Sequence, residues 1–275
     1  MTTVEVFAPA KINLTLHVTD QRADGYHLLD SLVVFADIGD TILAKASETL
    51  SLALDGPQGD QLTAEPDNLV LRAARLLAGN RGAALTLVKR LPVASGIGGG
   101  SADAAATLHA LSQLWGLAIP ESDAIVTLGA DVPVCMESVP QRMTGIGDTL
   151  APVPGLPRMD IVLVNPGVSV STPSVFQNLS NKRNAPMPDP LPHWRGPVDF
   201  VDWLQTQRND LLAPAITLQP VMQDTLQALR QTGAMHVGMS GSGATCFALF
   251  PKDGSAQLAA QSMPAPWWRA HGQIL

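Results

Sequence analysis

A glycine-rich stretch from Leu91 to Ala105 has the residue types and spacing best suited to chemistry. Four of the five residues from Gly96 to Gly100 are glycine, so the backbone there can bend freely and approach a ligand closely. Apolar residues at helical spacing follow, from Ala104 to Trp115. A glycine loop that opens into a helix directs backbone N–H groups and the positive end of the helix dipole at one point. We therefore predict a phosphate site; a tight turn before a buried helix is the plainer alternative.

Two polar pairs near the N-terminus are further candidates. Lys11 and Asn13 alternate with apolar residues, so a strand would present both on one face. Taken alone, such a lysine is more typical of a solvated charge. Tyr26, the only tyrosine, stands beside His27 in a polar turn region. This pair suits stacking on a planar ring and reading its edge, but a tyrosine that anchors the turn to the core is equally compatible.

Two more stretches further along the chain each allow two interpretations. Asp131 precedes Pro133, which fixes a turn at an element boundary, so its carboxylate could cap a helix or act as a base. The run from Gly238 to Gly243 consists mostly of small residues. It could bring one backbone close to another backbone or to a phosphate, or simply form a tight hairpin.

Three well-known phosphate loops fit the glycine stretch poorly. A Walker loop requires a lysine after the glycines, and none follows here. In the dinucleotide fingerprint counted from Gly96, Ser101 takes the place of the third glycine. Glu121 lies at the expected distance for the acidic residue, but no strand ends there. A protein-kinase loop is flanked by strands on both sides, whereas a helix follows this one.

The elements that must position these residues follow from periodicity and turn signals. We predict strands at Val4–Val18, Leu32–Phe35, Asp40–Ala44, Leu85–Val88 and Asp160–Val164, a turn at Ile38–Asp40, a strand–loop–strand unit over His236–Phe250, and helices after Asn68, after the glycine loop, over Glu121–Leu128 and over Val221–Arg230. The proline-rich run Leu150–Pro157 is the best candidate for a domain junction. Asn184–Pro197 holds five prolines and predicts an irregular, mobile surface segment.

Composition excludes several classes of protein. The 275 residues are 46% hydrophobic and 15% charged, which is typical of a globular chain with a sizeable core. The net charge of −7 argues against nucleic acid and membrane surfaces as partners. The two cysteines form no CxxC pair, and neither a signal peptide nor an 18-residue apolar run is visible. We therefore expect a cytoplasmic protein.

The sequence closely resembles the GHMP small-molecule kinases. The stretch from Pro92 to Ala105 is similar to their Pro-x-x-x-Gly-Leu-Gly-Gly-Gly-Ser-Ser-Asp-Ala-Ala loop. Motifs of one branch, which phosphorylates 4-diphosphocytidyl-2-C-methyl-D-erythritol, appear in the family's order at Pro9–Leu14, Ala23–His27, Gly129–Pro133, Pro166–Ser169, Thr172–Pro173 and Ser240–Thr245. Each motif is weak alone, and together they are highly specific.

The resemblance implies a two-domain α+β fold. Residues 1–152 would form the N-terminal GHMP domain, which is similar to domain 2 of ribosomal protein S5 and would hold ATP. Residues 153–275 would form a ferredoxin-like C-terminal domain, with the active site in the cleft between the two. A ribosome-like module makes RNA binding conceivable, but the negative charge disfavours it. The competing enzyme classes are a homoserine or mevalonate kinase on the same fold and a dinucleotide-dependent oxidoreductase.

The resemblance also implies the reaction and its residues. The γ-phosphoryl of ATP would pass to the 2-hydroxyl of 4-diphosphocytidyl-2-C-methyl-D-erythritol, on the non-mevalonate route to isoprenoid precursors. Asp131 would be the general base, and Lys11 would keep it ionised and stabilise the attacking oxygen. ATP contacts would come from Pro92, Val93, Ala94, Ser95, Gly96, Ile97, Gly98, Gly99, Gly100, Ser101 and Ala102, with Asn68 and Leu69 on the adenine side; substrate contacts would come from Asn13, Tyr26, His27, Thr172 and Pro173.

The resemblance also concerns the metal ion, the oligomeric state and the exact sequence of the loop. Mg²⁺ would accompany ATP, with protein ligands that the sequence does not identify, and the enzyme would be a monomer or a homodimer. Two loop residues depart from the family pattern. Ile97 replaces leucine conservatively, whereas Ala102 lacks the hydroxyl of the usual second serine. Any contact assigned to that hydroxyl is lost, and only backbone contacts remain.

Overall fold

The structure is a computed structural model that describes residues 2–79 and 81–275. The chain divides into two compact units, each assembled from separate segments. The first comprises Met1–Lys11, Gly39–Val93 and Gly98–Ser138, and the second comprises Ile12–Ile38, Ala94–Ile97 and Val139–Leu275. The predicted division into residues 1–152 and 153–275 stays a prediction.

Both units contain strands and helices. The strands are β1 (Val4–Asn13), β2 (His17–Gln21), β3 (His27–Ser47), β4 (Ser51–Asp55), β5 (Gly82–Val88), β6 (Gln141–Gly145), β7 (Thr149–Pro152), β8 (Asp160–Asn165), β9 (His236–Met239), β10 (Cys246–Phe250) and β11 (Trp268–Gln273). The helices are α1 (Leu69–Ala78), α2 (Gly99–Trp115), α3 (Ser122–Ile125), α4 (Val132–Glu137), α5 (Thr172–Gln177), α6 (Pro197–Leu204), α7 (Leu212–Leu218), α8 (Val221–Arg230) and α9 (Ser255–Ser262). Among the described residues, no helix is both long and apolar enough to cross a membrane.

The first unit packs helices against strands around an alanine-rich core. Residues 41–47 of β3 pair antiparallel with β5, and β4 pairs parallel with the other edge of β5. Asn68 caps α1 by accepting a hydrogen bond from the N–H of Val70 at 3.0 Å. Helix α2 contacts α1 and α4, and the alanines on its buried face allow close approach.

The second unit contains a four-stranded antiparallel sheet in the order β11-β8-β10-β9. With α8 before β9 and α9 before β11, this order is that of a ferredoxin-like fold, as predicted. Helices α8 and α9 bury Leu226, Leu229 and Ala259 against β8 and β10. The N-terminal part of β3 lies elsewhere in this unit and pairs with β2 and β6.

In three stretches of the chain, the predicted elements were wrong in their extent. Residues 27–47 form one strand, not two strands joined by a turn. Gly39 permits this because a Cβ there would collide with the Ala8 carbonyl group and the Phe7 ring on the neighbouring β1. The predicted first strand breaks after Asn13, because Leu16 bonds to the backbone of Arg208 and Asp210 instead. The predicted helix over residues 121–128 is shorter in the structure and comprises only α3. After α3, hydrogen bonds between residues three apart replace the α-helical pattern as far as residue 128.

The proline-rich segment after residue 184 is irregular, as predicted, but it is anchored at Met187. The Met187 side chain is 1% exposed, and its sulfur accepts a hydrogen bond from the Thr15 hydroxyl at 3.1 Å. Its N–H donates to the Asp30 carboxylate at 2.8 Å, which also pairs with Arg142. Met187 is therefore a buried attachment point in a segment that has no regular hydrogen bonding of its own, and the backbone carbonyls of Ala185 and Pro188 provide further contacts.

We predict that Met187→Ala lowers the free energy of unfolding by about 2–5 kcal/mol, the usual range for truncating a buried methionine. Urea denaturation would measure this loss. Limited proteolysis should show new cleavage within residues 184–197. Met187→Leu, which conserves volume, should cost less than about 1.5 kcal/mol. Equal stability of the alanine variant and the native chain would contradict the anchoring role.

Candidate active site

The predicted phosphate loop connects β5 to α2. Its backbone adopts left-handed conformations at Ala94 (φ 50°), Gly96 (φ 74°) and Gly98 (φ 63°). Pro92, Val93 and the residues from Gly98 onward belong to the first unit, and residues 94–97 belong to the second. Glycine accommodates two of the three left-handed positions without steric cost.

The loop leaves the first turn of α2 with free donors. Gly98 is the N-cap, and the first helical hydrogen bond runs from the N–H of Ala102 to the Gly98 carbonyl at 2.9 Å. The N–H groups of Gly99, Gly100 and Ser101 therefore have no partner within the helix. Together with the helix dipole, they form a site for an anion. Ala102 is buried and its N–H is already used by the helix.

Residues 94–97 form the tip of the loop and belong to the second unit. Within that unit, the tip contacts the turn between β9 and β10. The Ser240 hydroxyl donates to the Gly96 carbonyl at 2.8 Å, and the N–H of Thr245 donates to the Ser95 carbonyl at 3.1 Å. A Cβ at Gly96 would lie 2.6 Å from the carbonyl oxygens of both Ser240 and Gly243. The small side chains in the run 238–243 thus serve a close approach between two backbones, which is one of the interpretations that the sequence left open.

An ion pair in the first unit joins Lys11 to Asp131. The two are 2.8 Å apart between Nζ and Oδ2, with the Lys11 side chain 5% exposed and the Asp131 side chain 41% exposed. The solvated-charge interpretation of Lys11 is therefore wrong. Asp131 precedes α4 but makes no side-chain cap, so the capping interpretation is wrong as well.

Lys11 also contacts the phosphate loop. A Cβ at Gly98 would lie 3.0 Å from the Cβ of Lys11 and 3.3 Å from its Cε. The aliphatic part of Lys11 therefore lies against the residue that begins α2, and its ammonium reaches a partly exposed carboxylate. This arrangement juxtaposes an anion site, a cation and a carboxylate that can accept a proton.

Asn68 and Leu69 begin α1, also within the first unit. The Nδ2 of Asn68 donates to the Thr63 carbonyl at 3.1 Å, while its Oδ1 caps the helix. The Leu69 side chain lies beside the first turn of α2, since a Cβ at Gly100 would be 3.3 Å from its Cδ1. Their predicted role on the adenine side stays a prediction.

Tyr26 and His27 occupy different environments in the second unit. Tyr26 is 62% exposed, so it does not anchor the turn to the core. The His27 ring stacks on Phe176, with centroids 4.6 Å apart and an interplanar angle of 19°. Burial, followed by the nearby Lys182 charge, lowers the pKa of His27, which favours the neutral ring at pH 7.

Phe176 was missed by sequence reasoning. It lies on α5, four residues after Thr172 and three after Pro173, and this helical spacing was the available signal. The Thr172 hydroxyl lies 2.7 Å from the Ser242 hydroxyl. Helix α5 and the turn between β9 and β10 therefore present neighbouring polar and aromatic groups.

Asn13 contacts the same turn between β9 and β10 that supports the phosphate loop at Gly96. Its N–H donates to the Ser240 hydroxyl at 3.0 Å, and its Nδ2 donates to the Ser31 hydroxyl at 2.8 Å. Its Oδ1 is buried, and so is the Nε2 of His27; neither atom has a hydrogen-bond partner in the described part of the chain. Buried polar atoms without partners are costly unless a ligand supplies one.

Comparison with known proteins identifies the family. The family model described as GHMP kinases N terminal domain matches residues 68–153, and the model described as GHMP kinases C terminal matches residues 201–267. The chain belongs to the GHMP kinase family. GHMP kinases use ATP as the phosphoryl donor. The predicted role of the phosphate loop in binding it stays a prediction.

Individual relatives indicate which branch of the family this chain resembles. The chain is similar to the 4-diphosphocytidyl-2-C-methyl-D-erythritol kinase of Ruegeria pomeroyi, at 66% identity over 99% of both chains. It is 56% identical to the enzyme of that name from Cereibacter sphaeroides, over 98% of this chain and 99% of that one. A crystal structure of 4-(cytidine 5'-diphospho)-2C-methyl-D-erythritol kinase matches with a TM-score of 0.81 and 31% identity over 98% of both chains. These matches confirm the predicted two-domain α+β GHMP kinase fold.

We predict that Gly96→Ala weakens ATP binding at least about tenfold, equivalent to about 1.4 kcal/mol. A methyl group there meets two backbone carbonyls, so the loop must shift. Isothermal titration calorimetry with ATP would measure the change. The matched control is Gly116→Ala, which has a similar positive φ of 65° but nothing within 4 Å of the new methyl group. Equal ATP affinity of the two variants would show that the collision has no effect on the site.

Proposed function

We propose that this chain transfers the γ-phosphoryl group of ATP to the 2-hydroxyl of 4-diphosphocytidyl-2-C-methyl-D-erythritol. The product is the 2-phosphate, an intermediate on the non-mevalonate route to isoprenoid precursors. The reaction type is supported by the position of Lys11. Its side chain packs along Gly98 of the phosphate loop, and its ammonium group pairs with Asp131 at 2.8 Å. The identity of the acceptor rests on relatives such as the Ruegeria pomeroyi enzyme, which is 66% identical over 99% of both chains.

In this proposal the first unit supplies the phosphoryl-transfer machinery. The N–H groups of Gly99, Gly100 and Ser101 bind phosphate oxygens, while the rest of the loop from Pro92 to Ala102 shapes the site. Asp131 accepts the proton of the attacking hydroxyl, and Lys11 stabilises the negative charge on that oxygen. Positioning and electrostatics do most of the work in phosphoryl transfer, because its transition state is loose.

The second unit supplies recognition of the acceptor. Tyr26, being exposed, offers a ring for stacking on cytosine, and His27 offers its unpartnered Nε2 to the edge of the base. Phe176 supports the His27 ring and adds apolar surface. Asn13 offers its free Oδ1, and Thr172 and Pro173 lie at the start of α5, where the Thr172 hydroxyl is fixed by Ser242.

Mg²⁺ is proposed to enter bound to the phosphates of ATP. The described residues contain no group of three or more His, Cys, Asp or Glu side chains able to hold a metal ion. Mg²⁺ commonly keeps several waters and binds through substrate phosphates with few protein ligands. The ion would neutralise phosphate charge, and we assign it no protein ligand. The cytoplasmic location and the choice between monomer and homodimer stay predictions.

The acceptor assignment is tested by ADP release, coupled to a spectrophotometric assay. We expect ATP-dependent ADP release with 4-diphosphocytidyl-2-C-methyl-D-erythritol and none above background with the same molecule lacking the 2-hydroxyl. Homoserine and mevalonate serve as competing acceptors for kinases of the same fold. Faster turnover with either of them would overturn the assignment and leave the kinase fold intact.

The base assignment is tested by Asp131→Asn. This change removes the proton acceptor while keeping the side-chain size, so kcat should fall by about 10²–10⁴. The melting temperature and both KM values should change little. Asp123→Asn, an exposed acid on the neighbouring α3, is the matched control and should retain native turnover. Near-native turnover of Asp131→Asn would sink the assignment.

A further inference from the structure

A second buried charge cluster lies beneath the phosphate loop in the first unit. The Lys89 ammonium contacts Asp40 Oδ2 at 2.6 Å and Asp103 Oδ2 at 2.7 Å. All three side chains are almost completely buried. Asp103 lies in the glycine-rich stretch and Asp40 at a predicted turn, but no role was predicted for any of the three residues. The proposed reaction does not use them directly.

The cluster holds the chain at both ends of the loop. The second carboxylate oxygen of Asp40 accepts hydrogen bonds from the N–H groups of Arg90 at 2.6 Å and Leu91 at 2.8 Å. These residues directly precede Pro92, where the loop begins. On the other side, Lys89 reaches Asp103, the residue that follows Ala102 in α2. A path of four hydrogen bonds through Asp40 and Lys89 thus joins the segment that enters the loop to the helix that leaves it.

The contact with the loop is close. A Cβ at Gly99 would lie 3.0 Å from the Lys89 ammonium nitrogen. Gly99 carries one of the free N–H groups at the start of α2. Any displacement of Lys89 or Asp103 would therefore move the donors that face the phosphates.

Stability alone gives a poor account of this cluster. Burial raises the pKa of Asp103 to about 7 although the Lys89 charge opposes the rise. Burial would lower the pKa of Lys89, but the two carboxylates raise it above its usual value. Asp103 Oδ1 has no hydrogen-bond partner within the described residues. Desolvation of such groups commonly cancels their attraction, so apolar residues would serve the core equally well.

We propose that Asp40, Lys89 and Asp103 are positioning residues for ATP, which fix the two ends of the phosphate loop relative to each other. None of them touches the nucleotide in this assignment. They act through the backbone of Leu91 and the first turn of α2. The proposal rests on the proposed function, since it takes ATP as the ligand of the loop.

The test compares steady-state kinetics of Asp103→Ala, Asp103→Asn and the native enzyme. The alanine variant should fold, because the remaining ion pair between Lys89 and Asp40 has no net charge. Its KM for ATP should rise about tenfold, while the KM for the cytidyl substrate stays within about twofold, because only the loop is released. Asp103→Asn keeps an oxygen that can accept from Lys89, so it should recover most of the ATP affinity.

Thr107→Val is the matched control. The Thr107 hydroxyl is buried one turn further along α2 and donates to the Asp103 carbonyl at 2.7 Å. This variant loses a buried hydrogen bond in the same helix without touching the charge cluster. It should keep the native KM for ATP, even where its melting temperature falls.

Three outcomes would separate the possibilities. An unchanged KM for ATP in Asp103→Ala, or a rise that Thr107→Val matches, overturns the positioning role and leaves a structural one. If Asp103→Ala is too unstable to assay, Asp103→Leu fills the volume with an apolar chain and must show the same rise in KM. Absence of ATP-dependent turnover in the native enzyme would instead overturn the proposed function itself.

Discussion

The start of helix α2 is the constraint on which the rest of the structure depends. A phosphate site here requires the N–H groups of Gly99, Gly100 and Ser101 to stay unpaired and face outward together. The chain therefore reverses sharply just before the helix, through the left-handed residues Ala94, Gly96 and Gly98. A loop of this shape has little regular hydrogen bonding of its own, so neighbouring groups must fix it.

Two buried lysines meet this constraint in different ways. Lys11 lies against Gly98 and ends on a carboxylate that is partly exposed to solvent. Lys89 lies against Gly99 and ends on two carboxylates that are shielded from solvent. In the two proposals, the same residue type thus supports chemistry in one case and the shape of the loop in the other, and the exposure of the partner carboxylate distinguishes them.

Much of the fold and the outline of the site could be predicted from the sequence. Asn68, the glycines and the apolar spacing after Ala104 are local signals, and the helices that they predicted formed. Gly39 misled the prediction, because the same residue type serves a turn and a close approach of strands. The burial of Lys11 and the pairing of Asp103 with Lys89 depend on residues distant in sequence. Such contacts leave no periodicity to detect, so only the resemblance to a family gave Lys11 a catalytic role. Asp103 stands in the family's loop motif, but no role was predicted for it.

The second unit holds two buried polar atoms to which we assign recognition of the acceptor. The backbone N–H of Asn13 donates to Ser240 and its side-chain amide donates to Ser31. Its Oδ1, by contrast, is buried without a partner among the described residues. His27 is held by Phe176, yet its Nε2 is likewise unpaired. Each unmet group costs about 1–3 kcal/mol if it stays buried and unpaired. A ligand that supplies both partners recovers this free energy, whereas one that lacks them does not. In the proposed function, the same two atoms that make the free protein less stable therefore favour one acceptor over others.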